Sequence, residues 1–377
     1  MNGSFKIGSI FGIPILIHWT FLIIIPVFAW IIGTQILLTV DLLSNTFGVP
    51  IDTTYLLPGL NPYILGAFVA LGLFAGVLLH EIAHCIVAKR KGVPIHSITL
   101  LVFGGVSSME DSAPDPRVEL PMALVGPLTS LATGLLFIAL MYAVTLAGFA
   151  GPLSGLLVFA FSYLGLLNVF LFAFNLLPAF PMDGGRVLRA YLATRMPLPD
   201  ATRIAADVGK AFAVIFGIVG VLLFSPILIL IAFFIYIGAT QESAAIRYTF
   251  LLKDVSVGDI MSSPVMTVPP QTPVREVIDL MYATKHLGFP VVERGHLAGM
   301  VTLADLHRVS PIDREAMQVR DVMTRDIITL PPSAPVIDAL RTMSAKNIGR
   351  IPVTVDDQLV GIVTKTDILK VIELREI

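Results

Sequence analysis

Three runs of sequence without lysine or arginine constrain this chain more than any other feature. Neither residue occurs over 7–88 (82 residues), over 118–185 (68 residues) or over 211–246 (36 residues). A soluble chain carries about 25% charged residues; here 14% are charged and 55% are hydrophobic. That much apolar surface requires a lipid bilayer as its surroundings. The net charge of −2 offers no basic excess to neutralise phosphates, which argues against nucleic acid as a partner. Cys85 is the single cysteine, so no internal disulfide staples the fold.

A spanning helix takes about 20 apolar residues, so the first run holds two spans, over 13–33 and 63–88, joined by an exterior loop bearing Asp41 and Asp52. Lys6 precedes an apolar stretch without a small-residue cleavage site, which reads as a retained span. The second run holds spans over 120–147 and 153–177, with a turn at 148–152 between them. The basic clusters then share one side, and the positive-inside rule makes it cytoplasmic. Parity calls for two spans here, 204–224 and 226–246, the first reaching back past the run so that Asp207 and Lys210 sit near the interface, and this returns the remainder of the chain to the cytoplasm. The expectation is a polytopic α-helical protein of the cell membrane, with about six transmembrane helices and a cytoplasmic N-terminus.

The final third differs in character. Of 25 Lys and Arg residues, 15 lie at Arg247 or beyond, as expected of a water-facing domain. Shifting this region by 62 residues superposes two copies. Val257-Gly-Asp-Ile-Met261 meets Val319-Arg-Asp-Val-Met323, Pro290-Val291 meets Pro352-Val353, Gly299 meets Gly361, and Thr302-x-x-Asp305 meets Thr364-x-x-Asp367. Two copies at this period indicate a paired module with pseudo-twofold symmetry. The expected division is a membrane domain over 1–245, a linker over 246–256, and α/β repeats over 257–309 and 319–372.

The chemistry concentrates in His80-Glu81-Ile82-Ala83-His84, inside the second apolar segment. Histidines at i and i+4 share one helix face and can ligate one Zn²⁺, with Glu81 adjacent as general base. Ionisable residues inside a membrane segment are costly and read as functional. A catalytic zinc takes a third protein ligand and keeps one open position. Asp183 fits, in a Pro- and Gly-rich run from Asn175 to Arg186 directly after the fourth span. The bland readings elsewhere are interfacial anchoring for His18, a small buried hydrophobe for Cys85, and close helix packing for Gly126-Pro127-x-x-Ser130.

The repeat resembles the tandem cystathionine-β-synthase (CBS) domain pair, whose members bind adenine nucleotides between the copies. That resemblance implies ATP, ADP or AMP as a regulatory ligand, contacted by Thr302, Asp305, Thr364 and Asp367, and a homo-oligomer through the pair. A hydroxyl at a helix N-terminus and a carboxylate facing ribose suit such a ligand; the same residues also suit plain helix capping. The membrane part resembles the site-2 protease family of intramembrane zinc metalloproteases, through His80-Glu81-x-x-His84 and the N-x-x-P-x-x-P-x-D-G run of Asn175 to Gly184. It implies one Zn²⁺ per chain on His80, His84 and Asp183, Glu81 as the base that activates water, Asn175 orienting substrate or oxyanion, and a transmembrane protein as substrate. A substrate-holding β-hairpin is implied around Phe103-Gly-Gly-Val106. The competing classes are a CBS-regulated membrane transporter and a catalytically silent relative.

Overall fold

The computed structural model describes residues 3–101, 104–109, 115–148 and 151–375. Two units emerge, Met1–Ile246 and Arg247–Ile377. The first contains β1 (Ser4–Ile10), β2 (Ile13–His18), α1 (Trp19–Thr34), α2 (Ile36–Phe47), α3 (Asn61–Arg90), β3 (Ile95–Leu101), β4 (Gly104–Met109), α4 (Pro116–Leu146), α5 (Pro152–Asn175), α6 (Asp183–Ala193), α7 (Leu198–Leu222) and most of α8 (Pro226–Leu251).

Five helices, α3, α4, α5, α7 and α8, are long and apolar enough to cross a membrane, and α1 with α2 raises the number to six if that pair, bent by 74°, is one span. At 1.5 Å per residue α3 is about 45 Å long, longer than the ~30 Å hydrocarbon core. Leu222, Phe224, Ile227 and Phe233 turn outward, as lipid-facing side chains do. Inside, Ile32, Ile36 and Leu43 of α1 and α2 pack with Leu65 and Val69 of α3 and Phe159 and Leu164 of α5.

The first expected span is corrected. Residues 13–18 form β2 and the helix starts only at Trp19, capped by His18, whose Nδ1 accepts from the Thr20 backbone N–H at 3.4 Å. An Ile-Pro-Ile-Leu-Ile run is apolar enough for lipid, but its β-branched residues suit a ladder, and hydropathy cannot separate the two. The exterior loop is also more structured than expected, because α2 occupies much of it and carries Asp41. Asp52 stays in the connecting loop, its Oδ1 accepting from the Thr54 backbone N–H at 2.9 Å.

The four strands form one sheet in the order β1-β2-β3-β4. The β2–β3 pairing is parallel and the flanking pairings are antiparallel. The hairpin implied around 103–106 is therefore present as β3–β4, although Phe103 lies outside the described residues, as do Phe149 and Ala150 of the expected 148–152 turn. β4 is a sheet edge, and its Gly105 and Ser107 face α3.

The second unit holds α9 (Val257–Ile260), α10 (Val274–Thr284), β5 (Gly288–Glu293), β6 (His296–Thr302) and α11 (Leu303–His307), then the second copy as α12 (Val319–Val322), α13 (Val336–Ala345), β7 (Arg350–Val355), β8 (Gln358–Thr364) and α14 (Lys365–Arg375). The copies exchange their leading segments. Val257 packs in a core with Val336, Ile351 and Val363, whereas Val319 packs with Val274, Phe289 and Val301. Backbone bridges Ser262–Ile362 and Met300–Thr324 repeat the exchange symmetrically. Leu252 and Val255, from the segment expected to be a linker, join the first of these cores.

Candidate metal centre and active site

α3 buries His80 and His84 on one face, one turn apart, as i, i+4 spacing requires. The backbone after α5 turns at Pro178 and Pro181 and re-enters a helix at Asp183, the first residue of α6. A side chain at Gly184 would collide with the carbonyl oxygens of Leu176 and Leu177, so only glycine lets α6 begin so close to the preceding loop. That approach carries the Asp183 carboxylate onto α3.

Three donor atoms converge. Asp183 Oδ2 lies 3.1 Å from His80 Nε2 and 3.1 Å from His84 Nε2, and the two Nε2 atoms are 3.0 Å apart. Ligands at ~2.0–2.1 Å around a tetrahedral zinc stand about 3.3 Å from one another, so the set has the spacing of one face of such a site. Among the described residues it is the one group of three or more His, Cys, Asp or Glu side chains with that closeness.

The imidazoles are oriented from α4. The His84 Nδ1–H donates to the Met122 carbonyl at 2.6 Å, which leaves the neutral ring's Nε2 lone pair facing the cluster. His80 Nδ1 pairs with Ser130 Oγ at 2.9 Å. A Cβ at Gly126 would overlap the Nε2 atoms of both histidines, so a glycine is needed for α4 to pass the cluster. The expectation of close helix packing holds at Gly126, where small size admits two imidazoles, and Ser130 has in addition a hydrogen bond to one of them.

Glu81 points toward the β4 edge, where the Ser107 hydroxyl donates to its Oε2 at 2.6 Å. Cys85, fully buried among Ile13, Ile82 and Ile98, also contacts Ser107 Oγ at 3.4 Å. His80, Glu81, His84, Ser107, Asn175, Asp183 and Arg186 share the wall of a cavity of about 560 Å³ whose remaining lining, with Val77, Leu101, Leu171, Phe174 and Phe234, is mostly apolar. Sequence reasoning missed Ser107, Met122 and Arg186. A lone serine, a backbone carbonyl and an ordinary basic flank carry no motif.

It also missed a buried ion cluster beside the site. Arg189 of α6 donates through Nε to Glu119 Oε1 and Oε2 of α4 at 3.0 and 3.2 Å, with a second, closer contact from Nη2, and through Nη1 to Glu242 of α8 at 2.6 Å. Its guanidinium also stacks over Phe180, 5.0 Å from the ring centroid. Arg189 lies less than two turns after Asp183, so this cluster locks the helix that carries the carboxylate.

In the second unit, Thr302 and Thr364 both form capping boxes. Thr302 Oγ1 donates to Asp305 Oδ2 at 2.6 Å and Thr364 Oγ1 to Asp367 Oδ2 at 2.7 Å, with the threonine backbone N–H groups donating to the same oxygens. Their ligand role would be additional to this. Arg350 reaches across the pseudo-twofold to the carbonyl of Gly288, its repeat equivalent, at 2.7 Å. Burial lowers the pKa of this guanidinium. Arg350 does not stand out in the 62-residue repeat, because this position is Arg in one copy and Gly in the other.

Comparison with known proteins agrees with both halves. The profile of peptidase family M50 matches residues 68–151 and 150–216, and that of the CBS domain matches 257–311 and 319–374. The zinc metalloprotease MJ0392 of Methanocaldococcus jannaschii is 35% identical over 379 residues, covering 100% of this chain and 98% of its own. The solved site-2 protease from Methanocaldococcus jannaschii is 37% identical, with a TM-score of 0.42 over 64% of this chain and 95% of that one. A CBS domain pair of protein MJ0100, solved in complex with 5-methylthioadenosine and S-adenosyl-L-methionine, is 28% identical, with a TM-score of 0.30 over 32% of this chain and 98% of that one. With full-length identity to a zinc metalloprotease and both profiles in place, this multi-pass membrane protein belongs to peptidase family M50 and bears a C-terminal pair of CBS domains.

Proposed function

We propose that this chain is a zinc endopeptidase that hydrolyses peptide bonds in or beside the transmembrane segments of other membrane proteins. The observation that carries this reading is the convergence of His80 Nε2, His84 Nε2 and Asp183 Oδ2 within 3.1 Å of one another, on a cavity that also holds Glu81. Those three residues would hold one Zn²⁺ and leave a fourth position open. The bound ion supplies Lewis acidity, polarising the scissile carbonyl and making water a stronger acid.

The chain's own groups do the rest. Glu81 takes the proton of the attacking water and passes it to the leaving amine; its Oε2 is held by Ser107. Asn175, at the end of α5 on the cavity wall, orients the substrate carbonyl through its side-chain amide. A substrate helix has its carbonyls hydrogen-bonded internally, so it must unwind to be cut. The β4 edge offers backbone N–H and C=O groups on which the unwound segment can lie as an added strand.

Lys89 and Arg90 in the last turn of α3 support a cytoplasmic position for that end, for the N-terminus and for the CBS pair. Adenine nucleotide binding between the two CBS copies, with Thr302, Asp305, Thr364 and Asp367 at helix N-termini and Arg350 facing phosphate, would regulate cleavage. Covalent proximity motivates this, since the CBS pair follows the membrane unit in the same chain. The test compares purified wild type and Glu81→Gln, with equal zinc content, on single-span reporter proteins read by mass spectrometry. Cleavage inside or beside the span by wild type alone is expected. Equal cleavage by both removes Glu81 from the reaction.

A further inference from the structure

The cavity contains one charge that the proposed reaction does not use. Arg186 lies three residues after Asp183 on α6, and among the described residues lining the cavity it is the single lysine or arginine. It makes no hydrogen bond or ion pair with a described residue, whereas Arg189, one turn later, holds two glutamates. The charge balance sharpens the contrast. With neutral imidazoles and a divalent ion, the carboxylates of Glu81 and Asp183 would bring the centre to zero, which leaves Arg186 as the net positive charge among the described residues of a largely apolar wall. A guanidinium in such surroundings favours a planar oxyanion that it can meet with two parallel N–H donors.

Resting on the peptidase reading, we infer that Arg186 is a specificity-determining residue that receives an acidic side chain of the substrate close to the bond being cut. Helical residues three apart have Cβ atoms about 5–6 Å from each other, and an extended strand advances about 3.3 Å per residue. The acidic residue therefore falls within about three positions of the scissile bond. A lipid headgroup phosphate would offer the same oxyanion chemistry, but it would leave the choice among substrates unchanged.

The test uses the full-length, zinc-loaded protein and a set of single-span reporters carrying Asp, Asn or Lys at each position within three residues of the mapped cut. For wild type, Arg186→Gln and Arg186→Glu, kcat/KM is measured on every reporter. The affinity of uncut reporter is also measured by fluorescence anisotropy, with each Arg186 form in the Glu81→Gln background. Because every protein is scored by its own Asp-to-Asn and Asp-to-Lys ratios, a general loss of activity in a variant cancels. Wild type should favour Asp over Asn at one position by about 10- to 100-fold, the worth of a charge-assisted hydrogen bond. Arg186→Gln should abolish the preference, and Arg186→Glu should turn it toward Lys, in affinity as in kcat/KM. A wild type that cuts without discriminating overturns the inference and leaves the peptidase reading standing, as does Arg186→Gln retaining the Asp preference. A zinc-loaded wild type that neither binds nor cuts any reporter overturns both.

Discussion

Ser130, Gly126 and Ser107 tune the centre although none of them would touch the ion. Removing the Ser130 oxygen that accepts from the His80 Nδ1–H loosens a ring that must present Nε2, and losses of this kind cost about 10- to 100-fold in metal affinity. Ser130→Ala should lower zinc affinity by that amount in a competition titration with a chelator while leaving the fold intact. Gly126→Ala should be more severe, because the added methyl occupies the space of both Nε2 atoms; metal analysis should find well under one zinc per chain. Ser107→Ala acts on the base instead. It frees Glu81 from its 2.6 Å partner, and with a bond to a charged group worth about 1.5–3 kcal/mol, kcat should fall by about tenfold or more with zinc content unchanged. At this scale the sequence made His80, Glu81, His84 and Asp183 legible, because ionisable groups in apolar runs stand out. Ser107, Ser130 and the Met122 carbonyl were not legible, since what they do depends on which helix and strand pass beside α3.

α6 is the element on which the account depends most, because its first residue is Asp183 and its middle is clamped by Glu119 and Glu242. Arg189 and Glu119 are both almost fully buried, at 3% and 4% side-chain exposure, while Glu242 retains 31%. Removing one partner of a buried pair leaves an uncompensated charge and costs about 3–5 kcal/mol. Arg189→Met and Glu119→Gln should therefore lower the thermal midpoint of the detergent-solubilised protein and weaken zinc binding with it. Glu242→Gln should cost about 1 kcal/mol or less, since water already reaches that carboxylate. Among the elements, the long helices α3, α4 and α5 follow from the gaps between basic residues, whereas α7 and α8 needed parity as well, since α7 carries Arg203 and Lys210. β2 and α2 do not, because lipid-compatible composition says nothing about whether an Ile-rich run pairs in a ladder or where a helix bends.

For the whole molecule, two repeats are evident from a 62-residue shift, but their exchanged leading segments are not, since identities along the chain carry no information about which copy each segment packs in. Val257 belongs to the core of the second copy and Val319 to that of the first. A fragment of residues 247–311 should consequently remain unfolded by NMR, whereas 247–377 should give dispersed spectra; a folded short fragment would show that the exchange is dispensable. The central claim is that the membrane unit holds one catalytic zinc on His80, His84 and Asp183. X-ray absorption at the zinc edge, with metal content measured on the same samples, tests it most directly. The account predicts one zinc per chain in wild type, with two imidazole nitrogens and oxygen at ~2.0–2.2 Å, and loss of the metal in Asp183→Ala and His80→Ala. A metal-replete wild type without zinc, or an unchanged zinc environment in Asp183→Ala, would contradict it.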